Sequence, residues 1–356
     1  MSETIDLVFS FDTTGSMYPC LTQVRRYVES TVKYLFEAIP NIRIGILTHG
    51  DYCDGDETIT SLDLTSNVKE ICKFIQNAPA TNGGDADECY ELVLNEARQF
   101  QWTSGRNKAF VMIGDANPHA VGYSYGGKKN VLDWKNELGL LLESGIKVFA
   151  VQALGRREST KFYNQIAATA ETTKLELDQF QDINDIICAI CMSQAGQLPQ
   201  FEETLHKRMR RPSFNILDTI DRLSGRGARS RTASITGLTP VHPSRFQILA
   251  LDHDCSIKDF VLDNGLTFKV GRGFYEFTKK VEVQEYKEVI VQEIATGLMF
   301  SGDEARTILG IPIGVRATVS PDKFQDKYVG FIQSTSANRK LLGGTRFLYE
   351  VDEAVK

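Results

Sequence analysis

The chain has 356 residues, 42% of them hydrophobic and 24% charged, with a formal charge of −6. That is the balance of an ordinary globular protein, long enough for two compact domains of about 100–200 residues each. The first apolar run, residues 5–11, is too short for a secretory h-region or a membrane span and has no basic leader, so no signal peptide and no membrane association are expected. Seven cysteines without a dense, even framework exclude a disulfide scaffold and point to reduced thiols in a cytoplasmic setting.

Taken in order, residues 5–11 form an apolar strand. Residues 21–39 carry Val24, Val28, Val32, Leu35 and Phe36 near helical spacing, before Pro40 stops the helix. A strand follows at 42–48 and a short edge strand at 59–64, with helices expected at 67–76, 87–100 and 134–143. Further strands lie at 109–113 and 147–153, and a last strand and helix at 174–177 and 183–192. This alternation predicts an α/β fold with a doubly wound, mostly parallel sheet covered on both faces. Cys188 and Cys191 lie inside the apolar run 183–192 with no second pair or histidine nearby, which makes them core thiols.

Residues 1–198 hold 17 Lys/Arg against 26 Asp/Glu, a net −9, and form the first expected domain. The composition then shifts: from His206 to Arg231 there are eight Lys/Arg against two Asp/Glu, with Ser, Gly and Pro interspersed. Clustered arginine attracts phosphate, so a nucleic-acid or acidic partner is one reading of 206–231. The segment lacks interleaved stacking aromatics, and the favoured reading of 199–247 is a basic linker around a short helix at 214–223. Residues 248–356 turn to strand-like pieces at 247–251, 274–277, 286–293, 328–334 and 346–351, with short helices at 256–263 and 302–309. A second, smaller α+β or mostly β domain of unknown role fits them.

The chemistry-bearing residues follow the strands of the first domain. Asp12, Thr14 and Ser16 stand at D-x-T-x-S spacing directly after the first strand, where loops at the carboxyl ends of α/β strands carry ligands. Gly15 is expected to let this turn fold back so that the three side chains converge. One carboxylate and two hydroxyls make a hard oxygen site suited to Mg²⁺, with Ca²⁺ or Mn²⁺ as alternatives, and other loops must complete its shell. Two segments offer ligands: Thr81-Asn-Gly-Gly-Asp-Ala-Asp-Glu88 before a helix, and Gly114-Asp115-Ala-Asn-Pro-His119 after the strand at 109–113. The acidic loop from Asp51 to Glu57 lacks the calcium-loop pattern and is expected to be a solvated turn, while His119 is expected to order the third loop.

On these residues the chain resembles the von Willebrand factor A domain, whose metal-ion-dependent adhesion site has a first-loop D-x-S-x-S, a second-loop Thr and a third-loop Asp. The stretch Asp12-Thr-Thr-Gly-Ser-Met17 and the Asp-Ala-Asn-Pro-His run from Asp115 resemble most closely the intracellular modules found with α-kinases; the likeness spans about residues 4–192. The resemblance implies a metal held by Asp12, Thr14, Ser16 and Asp115. In the second loop Ala86 stands where the coordinating Thr would be, and Asp85 is the expected substitute ligand. The implied function is an intracellular, divalent-metal-dependent protein-binding module or adaptor that captures a protein partner at the metal and is not an enzyme. The alternatives are a Mg²⁺-dependent hydrolase or phosphoryl-transfer enzyme, and a scaffold tied to nucleic acid by the basic segment.

Overall fold

The computed structural model describes residues 4–209, 212–232, 237–241, 246–248, 267–269, 274–276, 281–283, 290–314, 317–319, 327–333 and 346–350. The chain divides into two compact units, Met1–Pro212 with Ile216–Ala228, and Ser213–Asn215 with Arg229–Lys356.

In the first unit β1 (Ile5–Asp12) leads to α1 (Tyr18–Ala38), then β2 (Ile42–His49), β3 (Ile59–Thr65) and α2 (Val68–Asn77). The two-residue β4 (Asp87–Glu88) precedes α3 (Tyr90–Ala97) and β5 (Asn107–Gly114), and short pieces β6 (Asn117–Pro118), β7 (Ser124–Tyr125) and β8 (Lys128–Lys129) follow. The unit closes with α4 (Trp134–Glu143), β9 (Ile146–Ala153), α5 (Arg157–Thr169), β10 (Leu175–Leu177), α6 (Ile183–Gln194), α7 (Leu198–Arg208) and α8 (Phe214–Leu223). Six strands form one sheet in the order β10-β9-β5-β1-β2-β3, parallel except for the edge strand β3.

All eight residues of β1 are buried, as a central strand covered on both faces requires. Its alternating side chains feed two cores. Ile5, Leu7, Phe9 and Phe11 pack with Val24, Val28 and Val32 of α1 and with the apolar side of α6, where Cys188 and Cys191 are buried. Val8 faces the other side, among Val93 and Leu94 of α3, Leu138 and Leu141 of α4, and Phe162 and Ile166 of α5. The six described cysteines are all free. Among the described residues no helix is long and apolar enough to cross a membrane.

Two helices, α7 and α8, lie in the stretch read as a linker. Leu198, Phe201 and Leu205 of α7, and Ile216 and Ile220 of α8, are buried in the first unit's core. Three of the segment's guanidiniums meet carboxylates, Arg208 on Asp185, Arg222 on Asp218, and Arg226 on both Glu202 and Asp221. The count of basic residues along the chain therefore overstates the charge left for a phosphate backbone.

In the second unit a five-stranded sheet runs β11 (Phe246–Ile248), β19 (Arg346–Glu350), β18 (Tyr328–Gln333), β15 (Ile290–Glu293), β16 (Met299–Ser301). Two further antiparallel pairs join β12 (Thr267–Lys269) to β13 (Phe274–Glu276) and β14 (Val281–Val283) to β17 (Ala317–Val319). The helix α9 (Gly302–Ile308) packs with Val291, Phe300, Leu309 and Ile311 in a small core. The helix expected at 256–263 lies outside the described residues.

At the amino end of β1 the fully buried Asp6 is gripped by two guanidiniums, Arg43 Nη2 at 2.6 Å and Arg106 Nε at 2.6 Å, and accepts the Thr103 N–H at 3.0 Å. Burial alone would raise its pKa, but the Arg43 bond, the Thr103 N–H and the two positive charges outweigh burial and hold it below the ordinary value. A folded-state pKa below the unfolded one stabilises the protein at pH values above about 4 and loses that contribution as pH falls through the folded value. Asp6→Ala should cost about 3 kcal/mol at neutral pH by leaving two guanidiniums without their buried partner. The gap between its thermal midpoint and that of the wild type should narrow as pH falls below about 4, and a gap that stays constant on acidification would refute the assignment.

Candidate metal centre

β1 lies between β2 and β5, the place where the sheet order reverses and where open α/β sheets gather ligands. The first loop leaves there. Asp12 is 1% exposed, and its Oδ1 accepts the Thr14 N–H at 2.9 Å and the Thr14 hydroxyl at 2.7 Å. Its Oδ2 accepts the hydroxyl of Tyr90, the first residue of α3, at 2.7 Å. Ser16 donates to Asp115 Oδ1 at 3.2 Å, which joins the first loop to the third.

Asp115 follows directly on β5 and is also buried, its carbonyl accepting the Ser159 hydroxyl at 2.7 Å. Arg156 Nε lies 2.7 Å from Asp115 Oδ2, an ion pair that joins the third loop to the start of α5. The loop holding Arg156 follows β9, a fourth strand end contributing to the same crevice.

The second loop is tied down at both ends. Thr81 N–H donates to the Thr13 carbonyl at 3.0 Å and the two threonine hydroxyls meet at 3.0 Å, while β4 pairs in parallel with β6 across to the third loop. Asp54 accepts the N–H groups of Asn82 at 3.0 Å and Gly83 at 3.4 Å. The acidic loop is therefore no solvated turn: Asp54 anchors the second loop, and Asp51 is fully buried because its carboxylate meets His119 Nε2 at 2.6 Å.

The structure brings Asp12, Thr14, Ser16 and Asp115 together. Asp85, the expected second-loop ligand, is exposed, accepts the Tyr123 hydroxyl at 3.0 Å, and groups with Asp51 and His119, whose ligand atoms all lie within 4.8 Å of one another. The second-loop carboxylate that feels Asp12 and Asp115 is Glu88, which residue-by-residue reading of the sequence had passed over. Its one available signal was its place at the end of the Gly-rich acidic stretch, one strand residue before α3. Tyr90 and Arg156 carried no such signal.

Crowding of like charges sets the electrostatics. Burial raises the Asp12 pKa against the opposing Thr14 and Tyr90 bonds and the Arg156 charge. Burial and then Asp12 push Asp115 up to about 6, although Arg156 and Ser16 oppose the shift. Glu88 goes up to about 10, by burial first and then by Asp12, Asp51, Asp115 and Asp54. His49 is buried against the Ser10 hydroxyl and held neutral, its pKa pushed down to about 3 by burial.

These residues fit a hard divalent cation. The donors are oxygens, and one of them, Glu88 Oε2, is buried with no hydrogen-bond partner. A divalent charge offsets the mutual repulsion that otherwise drives protons onto these carboxylates. Glycines allow the close approach, though Gly15 is not among them: its backbone avoids the left-handed region, and a Cβ there meets nothing within 4 Å. The convergence is carried by the Thr14 N–H bond to Asp12 instead. At Gly114 a Cβ would fall 1.8 Å from the Tyr90 hydroxyl, and at Gly83, with φ +73°, 2.8 Å from Glu88 Oε1. Gly15→Ala should leave the thermal midpoint within about 0.5 kcal/mol of wild type. Gly114→Ala should cost about 1–3 kcal/mol by overpacking; equal midpoints for the two variants would remove the steric argument.

A profile of the von Willebrand factor type A domain matches residues 6–187. A putative ariadne-like RING finger protein of Acanthamoeba polyphaga mimivirus is 22% identical over 244 residues, 65% of this chain and 24% of that protein. The alpha-protein kinase vwkA of Dictyostelium discoideum is 24% identical over 128 residues, 34% of this chain and 20% of the kinase. Among solved structures, proximal thread matrix protein 1 of the mussel byssus aligns over 55% of this chain and 48% of its own, at 15% identity and a TM-score of 0.42. The chain thus spans a quarter or less of the curated relatives it matches. The profile covers more than half of the sequence, on the same sheet that builds the crevice, and the chain belongs to the von Willebrand factor type A domain family.

Proposed function

We propose that this chain is an intracellular, divalent-cation-dependent protein-binding module, in which Asp12, Thr14, Ser16 and Asp115 hold the ion, Mg²⁺ in the first instance. Glu88 supplies the negative charge of the second loop directly beside them, with Asp85 further out on the same loop. The observation that carries this reading is the bonding of Thr14 to Asp12 and of Ser16 to Asp115 at the ends of β1 and β5, beside the buried Glu88 Oε2, which lacks a hydrogen-bond partner. When bound, the cation offers an open coordination position to an oxygen atom of a partner protein.

The protein's own residues shape that encounter. Asp12 is held in one orientation by Thr14 and Tyr90, and Asp115 by Ser16, so both carboxylates are oriented before an ion arrives. Past the third loop the chain exposes Val121, Tyr125 and Val131, which are 60%, 47% and 73% accessible, a set of apolar contacts of the kind partner proteins cover. Several carboxylates around one ion reduce its pull on a further anion, which favours a neutral oxygen from the partner, a carbonyl or hydroxyl, over a carboxylate. The free cysteines suit a reducing compartment.

Titration calorimetry on the full chain tests the site. Asp12→Ala should abolish Mg²⁺ binding with the circular dichroism spectrum unchanged. Tyr90→Phe, which keeps the packing and removes only the hydroxyl on Asp12, should weaken Mg²⁺ binding by about tenfold, the usual effect of losing an orienting neighbour. Capture from cell extract tests the role: partner proteins retained in Mg²⁺ should be lost in EDTA and on Asp12→Ala beads. The same proteins retained in all three conditions would take the metal out of the interaction.

A further inference from the structure

We infer that the loops above the sheet hold a second cation position, built by Asp51, Asp85 and His119, that takes a borderline transition ion such as Zn²⁺ or Mn²⁺. It is distinct from the oxygen site of Asp12, Thr14, Ser16 and Asp115. The three candidate ligands come from three chain segments: the turn after β2, the second loop, and the third loop after β6. One ligand atom from each lies within 4.8 Å of the others. An imidazole nitrogen with two carboxylates is a mixed donor set, which suits Zn²⁺ or Mn²⁺ better than Mg²⁺, an ion that demands oxygen.

A second observation points to a ligand. Asp51 is fully buried, yet its Oδ2 has no hydrogen-bond partner. That oxygen faces the second loop beside Asp85, where a Cβ on Gly84 would stand only 2.7 Å from it. Gly84 thereby leaves the space that an ion and the Asp85 carboxylate need. The other two ligands are oriented in advance. The His119 ring stacks on Tyr123 at 3.6 Å and 14°, its backbone N–H donates to Glu91 Oε2 at 3.0 Å, and the Tyr123 hydroxyl donates to Asp85 Oδ2 at 3.0 Å. These contacts restrain the orientation of both side chains.

The geometry needs only small adjustment. Bonds of about 2.0–2.1 Å to a tetrahedral ion place ligand atoms about 3.3 Å apart. The His119 to Asp51 contact, now 2.6 Å, opens by under about 1 Å, and exposed Asp85 closes by rotation about its side chain. Without an ion the same contact is a plain imidazole–carboxylate pair, and that is the alternative the test must separate.

The test uses the full chain, stripped of metal and then saturated with Mg²⁺ so that the oxygen site is filled, with Zn²⁺ titrated by calorimetry and Co²⁺ followed by its visible absorption. One equivalent should bind. His119→Gln should abolish binding, and Asp85→Ala, which alters an exposed side chain and leaves the core intact, should weaken it at least about tenfold. Asp12→Ala should retain it. Three results would overturn the inference: no Zn²⁺ taken up in saturating Mg²⁺, uptake that survives both His119→Gln and Asp85→Ala, or uptake that disappears with Asp12→Ala. Mg²⁺ binding that persists in Asp12→Ala would sink the oxygen site alone and leave this one standing.

Discussion

Like charges held close together in a dry place are the constraint from which the rest of the first unit follows. Asp12, Glu88 and Asp115 are buried near one another, with the Arg156 guanidinium paired to Asp115. Carboxylates in that position either take up protons, as the raised values of Asp115 and Glu88 express, or share a cation. No isolated loop would keep them together, because each gains by moving into water.

The scaffold supplies the force that opposes this. β1 is buried along its whole length between β2 and β5, and apolar side chains on both of its faces lock it into two cores. Its last residue is Asp12, so the cost of placing a carboxylate at the switch point is met by hydrophobic burial of Ile5, Leu7, Val8, Phe9 and Phe11 before it. The loops are then cross-tied: Thr13 to Thr81, β4 to β6, Ser16 to Asp115, Asp54 to the second-loop N–H groups. Each tie satisfies groups that burial would otherwise strand.

The same cross-ties explain why the top of the sheet separates into two chemistries. One side presents carboxylates and hydroxyls, the other an imidazole backed by tyrosines, with Glu88 and Asp51 lying between and feeling each other's charge. Glycine decides which backbone segments come close enough for this. At Gly114 the absent Cβ is the space occupied by the Tyr90 hydroxyl, and at Gly84 it is the space in front of Asp51.

Local pattern alone determined a great deal. Hydrophobic periodicity located the strands around 5–11, 42–48, 109–113 and 147–153 to within two residues at either end, and alternation with helices implied the mostly parallel sheet that is observed, because a strand covered on both faces must be apolar throughout. The D-x-T-x-S spacing and the Asp after β5 were legible for a related reason: a strand end fixes where the next few side chains start. The helix at 214–223 was legible, whereas α5 and α7 were not, their short amphipathic faces being interrupted by polar residues. Tertiary structure alone decided the partners of each charge. Glu88 rather than Asp85 beside Asp12 and Asp115, Asp51 buried under His119, Tyr90 and Arg156 from distant helix starts, and Gly15 idle while Gly114 is indispensable are all distances across the chain. Sequence records the order of residues along one dimension, whereas charge repulsion, desolvation and steric overlap act through space.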